Sequence, residues 1–346
     1  MSLLVLGRFN KEAWGSGSII RRLNWQRLRF TSRKIKKEEE IYRRRKLKRK
    51  TEGIPSYNEI CSIINKLKLN KAAGSDNIPP ELLKHGGRTQ KQKSYKLILM
   101  MWNKQQLPQQ WNEGIICPVY KKGDRLNCNN YRPITLLNIA YKIFVILLNR
   151  RLIENIENKL GFHRSTIDNI LVIRQIFEKS HEYNIDMYNI FVNYTHVFDF
   201  AYVNKLIKCL KKFDDPDKPI RLIALTLIQT RARVKINRNF TEEFIVECGV
   251  KQEDPLSATL FSLDIDTILK QMGLRGNITT HLKQFTAYAD DILLTTRTKQ
   301  SLIDTFQKLK EISAQYGLIV NGQKKNTLDV RGKIIIYKNY KLTRCT

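Results

Sequence analysis

Two adjacent carboxylates interrupt an apolar stretch in the last fifth of the chain. Asp290 and Asp291 lie between apolar, β-branched and aromatic residues, in the sequence FTAYADDILL at 285–294. This pattern predicts two short strands joined at an acidic tip. Because isolated anions are very costly to bury, the tip requires either water or a cation. A solvated hairpin turn and a divalent-metal site both meet that requirement, and the two residues alone do not decide between them.

The chain is strongly basic. Its formal net charge is +30, from 62 Lys and Arg against 32 Asp and Glu, which predicts a polyanionic partner such as nucleic acid. Residues 1–50 hold 17 of these cations and only four acids, and they end in a cluster of Lys and Arg at 43–50. We therefore expect a basic N-terminal arm over 1–52. The pattern is typical of a nucleic-acid or nuclear-import patch and also of a solvated, partly helical or disordered segment, and the two interpretations are compatible.

Composition also indicates the cellular compartment in which the protein is expected. The 346 residues are 42% hydrophobic, enough to bury a substantial core. The six cysteines form no C-x-x-C pair, so neither a zinc site nor a disulfide framework is predicted, and a reducing environment is expected. The apolar run at 3–6 is too short for a signal peptide, and no run reaches the length of a membrane span. We expect an intracellular protein without a membrane partner, in the nucleus or in a cytoplasmic ribonucleoprotein.

The sequence YADD at 288–291 resembles the YADD box of reverse transcriptases. An ordered series of further blocks, from about residue 70 to about residue 325, is similar to the polymerase of non-LTR (LINE-type) retrotransposons. The blocks are KAAGSDNIPPELLK at 71–84, LPQQW at 107–111, IICPVYKKGD at 115–124, NYRPITLL at 130–137, GFHRSTIDN at 161–169, FVNYTHVFD at 191–199, CGVKQEDPLS at 248–257 and GLIVNGQK at 317–324.

The resemblance implies an α/β (α+β) fold: the fingers and palm of a right-hand polymerase, with an antiparallel palm sheet and packed helices. We expect fingers and palm entry over 53–180, and the palm with its catalytic strands over 181–330. Residues 331–346 would form a truncated tail. Because only 22 residues follow the last block, the thumb is expected to be missing.

The resemblance also implies the metal site. Asp290 and Asp291 would hold Mg²⁺ or Mn²⁺, and the third metal position holds Asn193, where the family pattern F-x-D-x-x-x-A-F-D has an aspartate. An amide oxygen is a ligand for Mg²⁺, but it brings no charge and does not bridge two ions as a carboxylate does. Asp199, six residues further on, is expected to cap the next helix instead. Lys324 would lie near the leaving pyrophosphate as a catalytic cation or proton donor.

The nucleotide site follows from the same resemblance. Lys121 or Lys122 would contact the triphosphate of a dNTP together with Arg132, because phosphoryl transfer needs cations there. Gln252 would lie near the sugar. Phe198 matches the aromatic residue that excludes a ribose 2′-hydroxyl, although an ordinary core position explains this ring nearly as well.

A second departure from the family pattern is Glu253, which stands where the block G-V-x-Q-G-D-P-L-S has glycine. Its bulk and negative charge would approach the triphosphate. The resemblance therefore implies an RNA-directed DNA polymerase that takes an RNA template, a DNA primer and dNTPs, impaired in this copy by Asn193 and Glu253. One alternative is a catalytically dead relic that binds nucleic acid. Another is a basic binding protein whose likeness to a polymerase is irrelevant to what it does.

Overall fold

The computed structural model describes residues 52–156, 166–195, 197–212, 217–228, 230–237, 239–273, 283–288 and 291–320. These residues belong to one compact unit. In this part of the chain, no helix combines the length and the apolar character needed to cross a bilayer. The helices are α1 (Tyr57–Asn65), α2 (Pro80–Lys84), α3 (Arg88–Lys104), α4 (Ile139–Ile156), α5 (Thr166–Glu182), α6 (Val197–Phe200), α7 (Val203–Lys212), α8 (Asp217–Leu227), α9 (Pro255–Gln271) and α10 (Lys299–Ala314).

The described strands form two sheets. They are β1 (Glu113–Tyr120), β2 (Tyr131–Leu136), β3 (Tyr188–Thr195), β4 (Arg231–Ile236), β5 (Asn239–Phe240), β6 (Phe244–Ile245), β7 (Lys283–Tyr288), β8 (Asp291–Thr296) and β9 (Ile319–Val320). The first sheet has the order β2-β1-β4-β5, with β6 also paired to β4. The second has the order β7-β8-β3-β9, and every pair in it is antiparallel. The expected mixture of helices with an antiparallel sheet is confirmed.

The two longest buried helices form the centre of the core. Helix α4 begins at Ile139 and packs against α9. Its buried side chains, among them Ile139, Phe144 and Val145, lie around much of its circumference. A helix that is apolar on nearly all sides is stable only in the interior. The second sheet (β7-β8-β3-β9), which corresponds to the expected palm sheet, packs onto the same hydrophobic core through residues such as Leu294. Helix α10 does so through residues such as Leu309.

The N-terminal helix is tied to this core by a charged pair. A serine followed three residues later by a glutamate is the spacing that predicts a capping box, and Ser56 and Glu59 form one at the start of α1. The Ser56 hydroxyl accepts from the Glu59 amide at 3.1 Å. The Glu59 carboxylate also accepts from the guanidinium of Arg151 on α4 at 2.9 Å. Arg151 further donates to the carbonyl of Gly53 at 2.6 Å and lies 4.5 Å from the centre of the Trp102 ring. One nearly buried guanidinium therefore connects three segments.

Two expectations are modified by the chain's path. Strand β3 ends at Thr195 and the chain enters the short helix α6, so Asp199 lies inside a helix and not directly before α7, where a capping residue would stand. In addition, β1 from the region 53–180 pairs in parallel with β4 from the region 181–330, so one sheet is shared by both regions. The arm, except Glu52, and the tail at 331–346 lie outside the described residues.

Candidate active site

The palm sheet brings the two predicted metal-binding strands together. In the register of β3 with β8, Asn193 is opposite Asp291, and on the other side of β8 Tyr288 is opposite the same residue. The expected adjacency of the Asn193 strand and the YADD hairpin is thus confirmed. Asp290, together with Ala289, lies outside the described residues. The backbone positions of Asn193 and Asp291 meet at one end of the sheet.

The side chain of Asn193 lies on the accessible face of strand β3. Along β3 the side chains of Val192 and Tyr194 are buried, whereas Asn193 between them is partly exposed. On the buried face, the hydroxyl of Tyr194 forms a hydrogen bond of 2.8 Å with the hydroxyl of Ser313. Because side chains alternate along a strand, a core that holds Tyr194 turns Asn193 away from it. A ligand can therefore reach the amide.

The oxygen donors at this end of the sheet suit a hard cation. Mg²⁺ prefers carboxylate, amide and water oxygens, and Asn193 with Asp291 supplies an amide and, by sequence, a carboxylate. Because position 193 holds an amide, the predicted donor set carries less negative charge than three carboxylates would. Lys324 lies outside the described residues.

Phe198 is anchored at the edge of the core. Its ring packs against Phe261 of α9, with 6.0 Å between ring centres and an interplanar angle of 63°. Its carbonyl accepts a hydrogen bond of 2.6 Å from the amide of Val250. The ring is only partly buried, and it lines a small cavity of about 150 Å³ together with Gln252. The position thus has core contacts and an accessible side, which are compatible with both interpretations of this residue.

The loop at 248–254 approaches α6 closely at a glycine. Gly249 has φ +87°, a backbone conformation that favours glycine. A Cβ atom added here would lie 2.4 Å from the carbonyl oxygen of Phe198 and 2.6 Å from that of Asp199. The amide of Gly249 donates to the carbonyl of Ala201 at 2.9 Å. The absence of a side chain is what allows this contact.

Gln252 is held between two elements. Its side-chain amide donates to the carboxylate of Asp199 at 3.2 Å, and its carbonyl accepts from the amide of Thr135 at 3.3 Å. Thr135 is on β2, the strand that also carries Arg132. Gln252 is therefore placed beside the residue that follows Phe198, and it connects the palm to the sheet with the predicted phosphate-binding residues.

Glu253 occupies a conformation made for glycine. Its φ is +73°, which for a residue with a side chain is unfavourable by about 1–2 kcal/mol. Its side chain is exposed. The loop thus keeps the backbone that a glycine would adopt, and the substitution adds strain and a negative charge without changing the path of the chain.

The predicted phosphate-binding residues share one hairpin. Arg132 on β2 is opposite Val119 on β1, and the amide of Lys121, just after β1, donates to the carbonyl of Asn130 at 2.8 Å. The side chains of Lys121, Lys122 and Arg132 are all exposed. The hairpin therefore presents three cations near one end, as expected from the sequence, and any anion there would meet them from solvent.

Comparison with known proteins identifies the family. Residues 119–336, more than half of the chain, match the family described as reverse transcriptase (RNA-dependent DNA polymerase). The chain belongs to the reverse transcriptase family. The matched range contains every predicted site residue of both the metal and the nucleotide sites.

Related sequences come from retrotransposons. An uncharacterised protein of transposon TX1 from Xenopus laevis is 25% identical over 261 residues, which cover 71% of this chain and 20% of that protein. A Pol polyprotein of an R2 retrotransposable element from Popillia japonica is 23% identical over 234 residues, 65% of this chain and 33% of the polyprotein. The chain thus spans a third or less of these relatives. The resemblance to non-LTR reverse transcriptases is confirmed.

A solved structure of telomerase from Candida tropicalis, in complex with a fragment of telomeric RNA, aligns with a TM-score of 0.49 and 16% sequence identity. The alignment covers 70% of this chain and 46% of that chain. For this reverse transcriptase, the polymerase fold follows from the family match and from the antiparallel sheet described above.

Three further residues, which sequence reasoning did not single out, hold the loop at 248–254 and the start of α9 in place. Asp254 caps α9, accepting from the amide of Leu256 at 2.9 Å, and its other oxygen accepts from the hydroxyl of Tyr141 at 2.7 Å. Burial raises the pKa of Asp254 above its usual value and lowers that of Lys251 to about 8. The ammonium of Lys251 donates to the carbonyl of Trp111 at 3.2 Å. The Asp-Pro dipeptide signalled the cap, but nothing local signalled Tyr141.

Proposed function

We propose that this chain is an RNA-directed DNA polymerase domain that extends a DNA primer on an RNA template by nucleotidyl transfer from dNTPs. The observation that carries the proposal is the register that places Asn193 opposite Asp291, at the end of an antiparallel sheet within a reverse transcriptase family match. Beside it, Phe198 and Gln252 are held together through Asp199. This hydrogen bond would connect the metal-binding end of the palm sheet to the loop that binds the nucleotide.

Asp290, Asp291 and Asn193 would hold Mg²⁺ or Mn²⁺. When bound, such ions would activate the primer 3′-hydroxyl and stabilise charge on the leaving pyrophosphate. Lys121, Lys122 and Arg132 on the exposed hairpin would bind the triphosphate, where cations offset the charge that shifts during transfer. Lys324 would supply a proton or a positive charge to the leaving group.

Phe198 and Gln252 would select the sugar. The Phe198 ring, fixed against Phe261, would clash with a ribose 2′-hydroxyl and so favour deoxynucleotides. The side-chain amide of Gln252 donates to Asp199, which holds the side chain in one orientation, and that side chain would lie near the sugar. These two residues would act by shape and orientation and would take no part in bond formation.

Two substitutions would weaken the reaction. Asn193 removes a negative charge from the metal site, and loss of one strong electrostatic interaction in an active site lowers a rate by roughly a thousandfold. Glu253 adds a negative charge to the loop that approaches the triphosphate. A second candidate function is therefore binding of nucleic acid without catalysis, favoured by these substitutions together with the net charge of +30.

We also propose that residues 53–180 act as fingers and palm entry and residues 181–330 as the palm. The family-like blocks support this division, and because β1 pairs with β4 across the boundary, it would be a division of function within one folding unit. An intracellular location, in the nucleus or in a cytoplasmic ribonucleoprotein, is supported by the cysteines. The five that the structure describes, Cys61, Cys117, Cys128, Cys209 and Cys248, are all free thiols.

Primer extension on an RNA template with Mg²⁺ tests the function. The chain should be compared with the double variant Asn193→Asp, Glu253→Gly, and with a negative control, Asp291→Asn in the double variant. The expected result is weak extension by the unmodified chain and extension roughly a thousandfold faster by the double variant. Extension by the double variant alone would favour the binding function for the unmodified chain. Equal extension by both would show that the substitutions do not impair catalysis. No extension by either would favour the binding function.

A further inference from the structure

Lys251 immediately precedes Gln252 in the loop at 248–254, and its main chain is fixed against α9. The carbonyl of Lys251 accepts from the hydroxyl of Ser257 at 2.9 Å and from the amide of Asp254 at 3.2 Å. Ser257 lies in the first turn of α9. Because a peptide unit is planar and has few free torsions, a fixed residue limits where the next side chain, that of Gln252, can point.

The side chain of Lys251 is fixed by two other elements. Its ammonium donates to the carbonyl of Trp111 at 3.2 Å and lies 4.6 Å from the centre of the Tyr141 ring on α4. The two rings are buried and pack edge to face, with 6.0 Å between their centres. One ammonium thus connects the loop to α4 and to a residue 140 positions earlier.

The charge of this lysine lies in surroundings that disfavour it. Burial lowers the pKa of Lys251 to about 8, although the carboxylate of Asp254 acts in the opposite direction. Because the folded pKa lies below the ordinary value, the charged form loses stability on folding relative to the neutral form. Features that cost stability are typical of functional sites. Stability alone therefore does not account for a lysine at this position.

The two hydrogen bonds of Gln252 are long. Its carbonyl accepts from the amide of Thr135 at 3.3 Å, and its side chain donates to Asp199 at 3.2 Å. Both distances are at or beyond the upper end of the usual range for such bonds, so by themselves they hold the residue weakly. The fixed lysine next to Gln252 supplies a further constraint on its position.

We propose that Lys251 is a positioning residue for the nucleotide site: its side chain ties the loop to Trp111 and Tyr141 and so holds Gln252 in the orientation that distinguishes a dNTP from an rNTP. The inference rests on the proposed polymerase function, but the hold on Gln252 is measurable without catalysis. Lys251 would touch neither the nucleotide nor the reacting atoms. Its replacement should therefore raise KM and leave kcat nearly unchanged.

Hydrogen exchange of the full chain tests the hold on Gln252. The amide of Thr135 is the reporter, because its acceptor is the Gln252 carbonyl. Lys251→Met removes the ammonium and keeps a side chain of similar length. Lys142→Met is the matched control, because Lys142 on α4 is also partly buried, lies near the same Asp254 carboxylate and likewise has its pKa lowered by burial. Thermal unfolding of each variant confirms that it is folded.

Exchange at Thr135 should be about tenfold faster in Lys251→Met and should change by less than about twofold in Lys142→Met. Lys251→Arg, which keeps a positive charge and a donor, should stay within about threefold of the unmodified chain. An unchanged rate in Lys251→Met would overturn the proposal. Equal increases in Lys251→Met and Lys142→Met would also overturn it, because loss of any nearby positive charge would then loosen the loop.

Single-nucleotide incorporation tests the connection to the substrate. It is measured with a dNTP and with the matching rNTP in the double variant Asn193→Asp, Glu253→Gly, with and without Lys251→Met. The added substitution should raise KM for the dNTP about tenfold, reduce the preference for the dNTP by about the same factor, and change kcat by less than about twofold. A fall in kcat without a change in KM, or an unchanged preference, would overturn the proposal.

A double-mutant cycle tests whether Lys251 acts through Gln252. Gln252→Ala removes the side chain that the lysine positions, so adding Lys251→Met should change KM by less than about twofold further. Fully additive losses would overturn the proposal, because Lys251 would then act by another route. If no background extends a primer, the polymerase proposal fails, and exchange at Thr135 still decides whether Lys251 holds Gln252.

Discussion

The end of the palm sheet and the loop at 248–254 each contain one departure from the family pattern, with different physical consequences. At the palm, Asn193 lies in an intact antiparallel register on the accessible side of β3. Strand pairing uses the backbone, so this substitution changes chemistry and leaves the fold alone. In the loop, Glu253 must adopt φ +73°. There the substitution affects conformation as well as charge. A strand tolerates the loss of a functional side chain better than a tight loop does.

The largest expected effect lies in α9, the helix that the loop leads into. Asp264 is fully buried, and the thiol of Cys209, a weak donor that only partly offsets the effect of burial, lies beside its carboxylate. Burial raises its pKa to about 7. Because the folded pKa exceeds the unfolded value, the stability associated with the protonated form is complete below about pH 4 and is lost as pH rises through about 7.

Asp264→Asn should therefore remove up to about 4 kcal/mol of pH dependence, since each pKa unit corresponds to about 1.4 kcal/mol. Urea unfolding at pH 4.5, 6 and 8 measures it. Asp304→Asn is the control, because that carboxylate is exposed on α10. If Asp264→Asn has the same pH profile of stability as the unmodified chain, the prediction is wrong. Large effects of substitution on stability would then be expected only within the loop at 248–254 and not in α9.

Gly249→Ala should destabilise the protein by about 2–3 kcal/mol, because it combines an unfavourable φ with a clash against the Phe198 carbonyl. Gly273→Ala separates the two causes. Gly273 also has a positive φ, +63°, but a Cβ atom there meets nothing within 4 Å. Denaturant unfolding should show a clearly smaller loss for Gly273→Ala. Equal losses would mean that the close approach of the loop to α6 has no cost of its own.

Glu253→Gly should raise the free energy of unfolding by about 1 kcal/mol, because glycine adopts the left-handed conformation without strain. Glu253→Ala is the matched control, since it removes the charge but keeps the strain. If Glu253→Ala stabilises the chain as much as Glu253→Gly does, then charge and not conformation distinguishes the loop from the palm.

The smallest effect on stability is expected for Asn193→Asp, below about 0.5 kcal/mol without metal, because the register does not depend on this side chain. Added Mg²⁺ should raise the melting temperature of the variant more than that of the unmodified chain, because only the variant restores the charge. Thermal unfolding with Mg²⁺ and with EDTA measures both. A loss of 2 kcal/mol in EDTA would show that the palm is no more tolerant than the loop.

Sequence reasoning succeeded where the signal is local. The capping box of Ser56 and Glu59 and the two strands around the YADD tip follow from neighbouring residues. The adjacency of Asn193 and Asp291, almost a hundred positions apart, was available only through the resemblance to reverse transcriptases. The role of each of these residues in catalysis stays a prediction.

Other parts of the site had no such signal. The hydrogen bond between Tyr141 and Asp254 joins residues 113 positions apart. The parallel pairing of β1 with β4 is not connected by a tight turn, so no turn residues in the sequence predict it. The expectation that Asp199 caps the next helix is wrong, because apolar periodicity does not show that the chain enters the short helix α6 after Thr195. Packing partners distant in sequence decide such features.

Arg151 determines where any shortened form of this protein has to start. Its guanidinium donates hydrogen bonds to the carbonyl of Gly53 and to the carboxylate of Glu59. A shortened chain that starts at the first family-like block, 71–84, would therefore lack both acceptors. Removing one partner of a nearly buried charge typically destabilises a protein by about 3–5 kcal/mol. Expression of the polymerase portion alone therefore calls for a first residue upstream of Gly53, even though no predicted catalytic group lies within the following sixty positions.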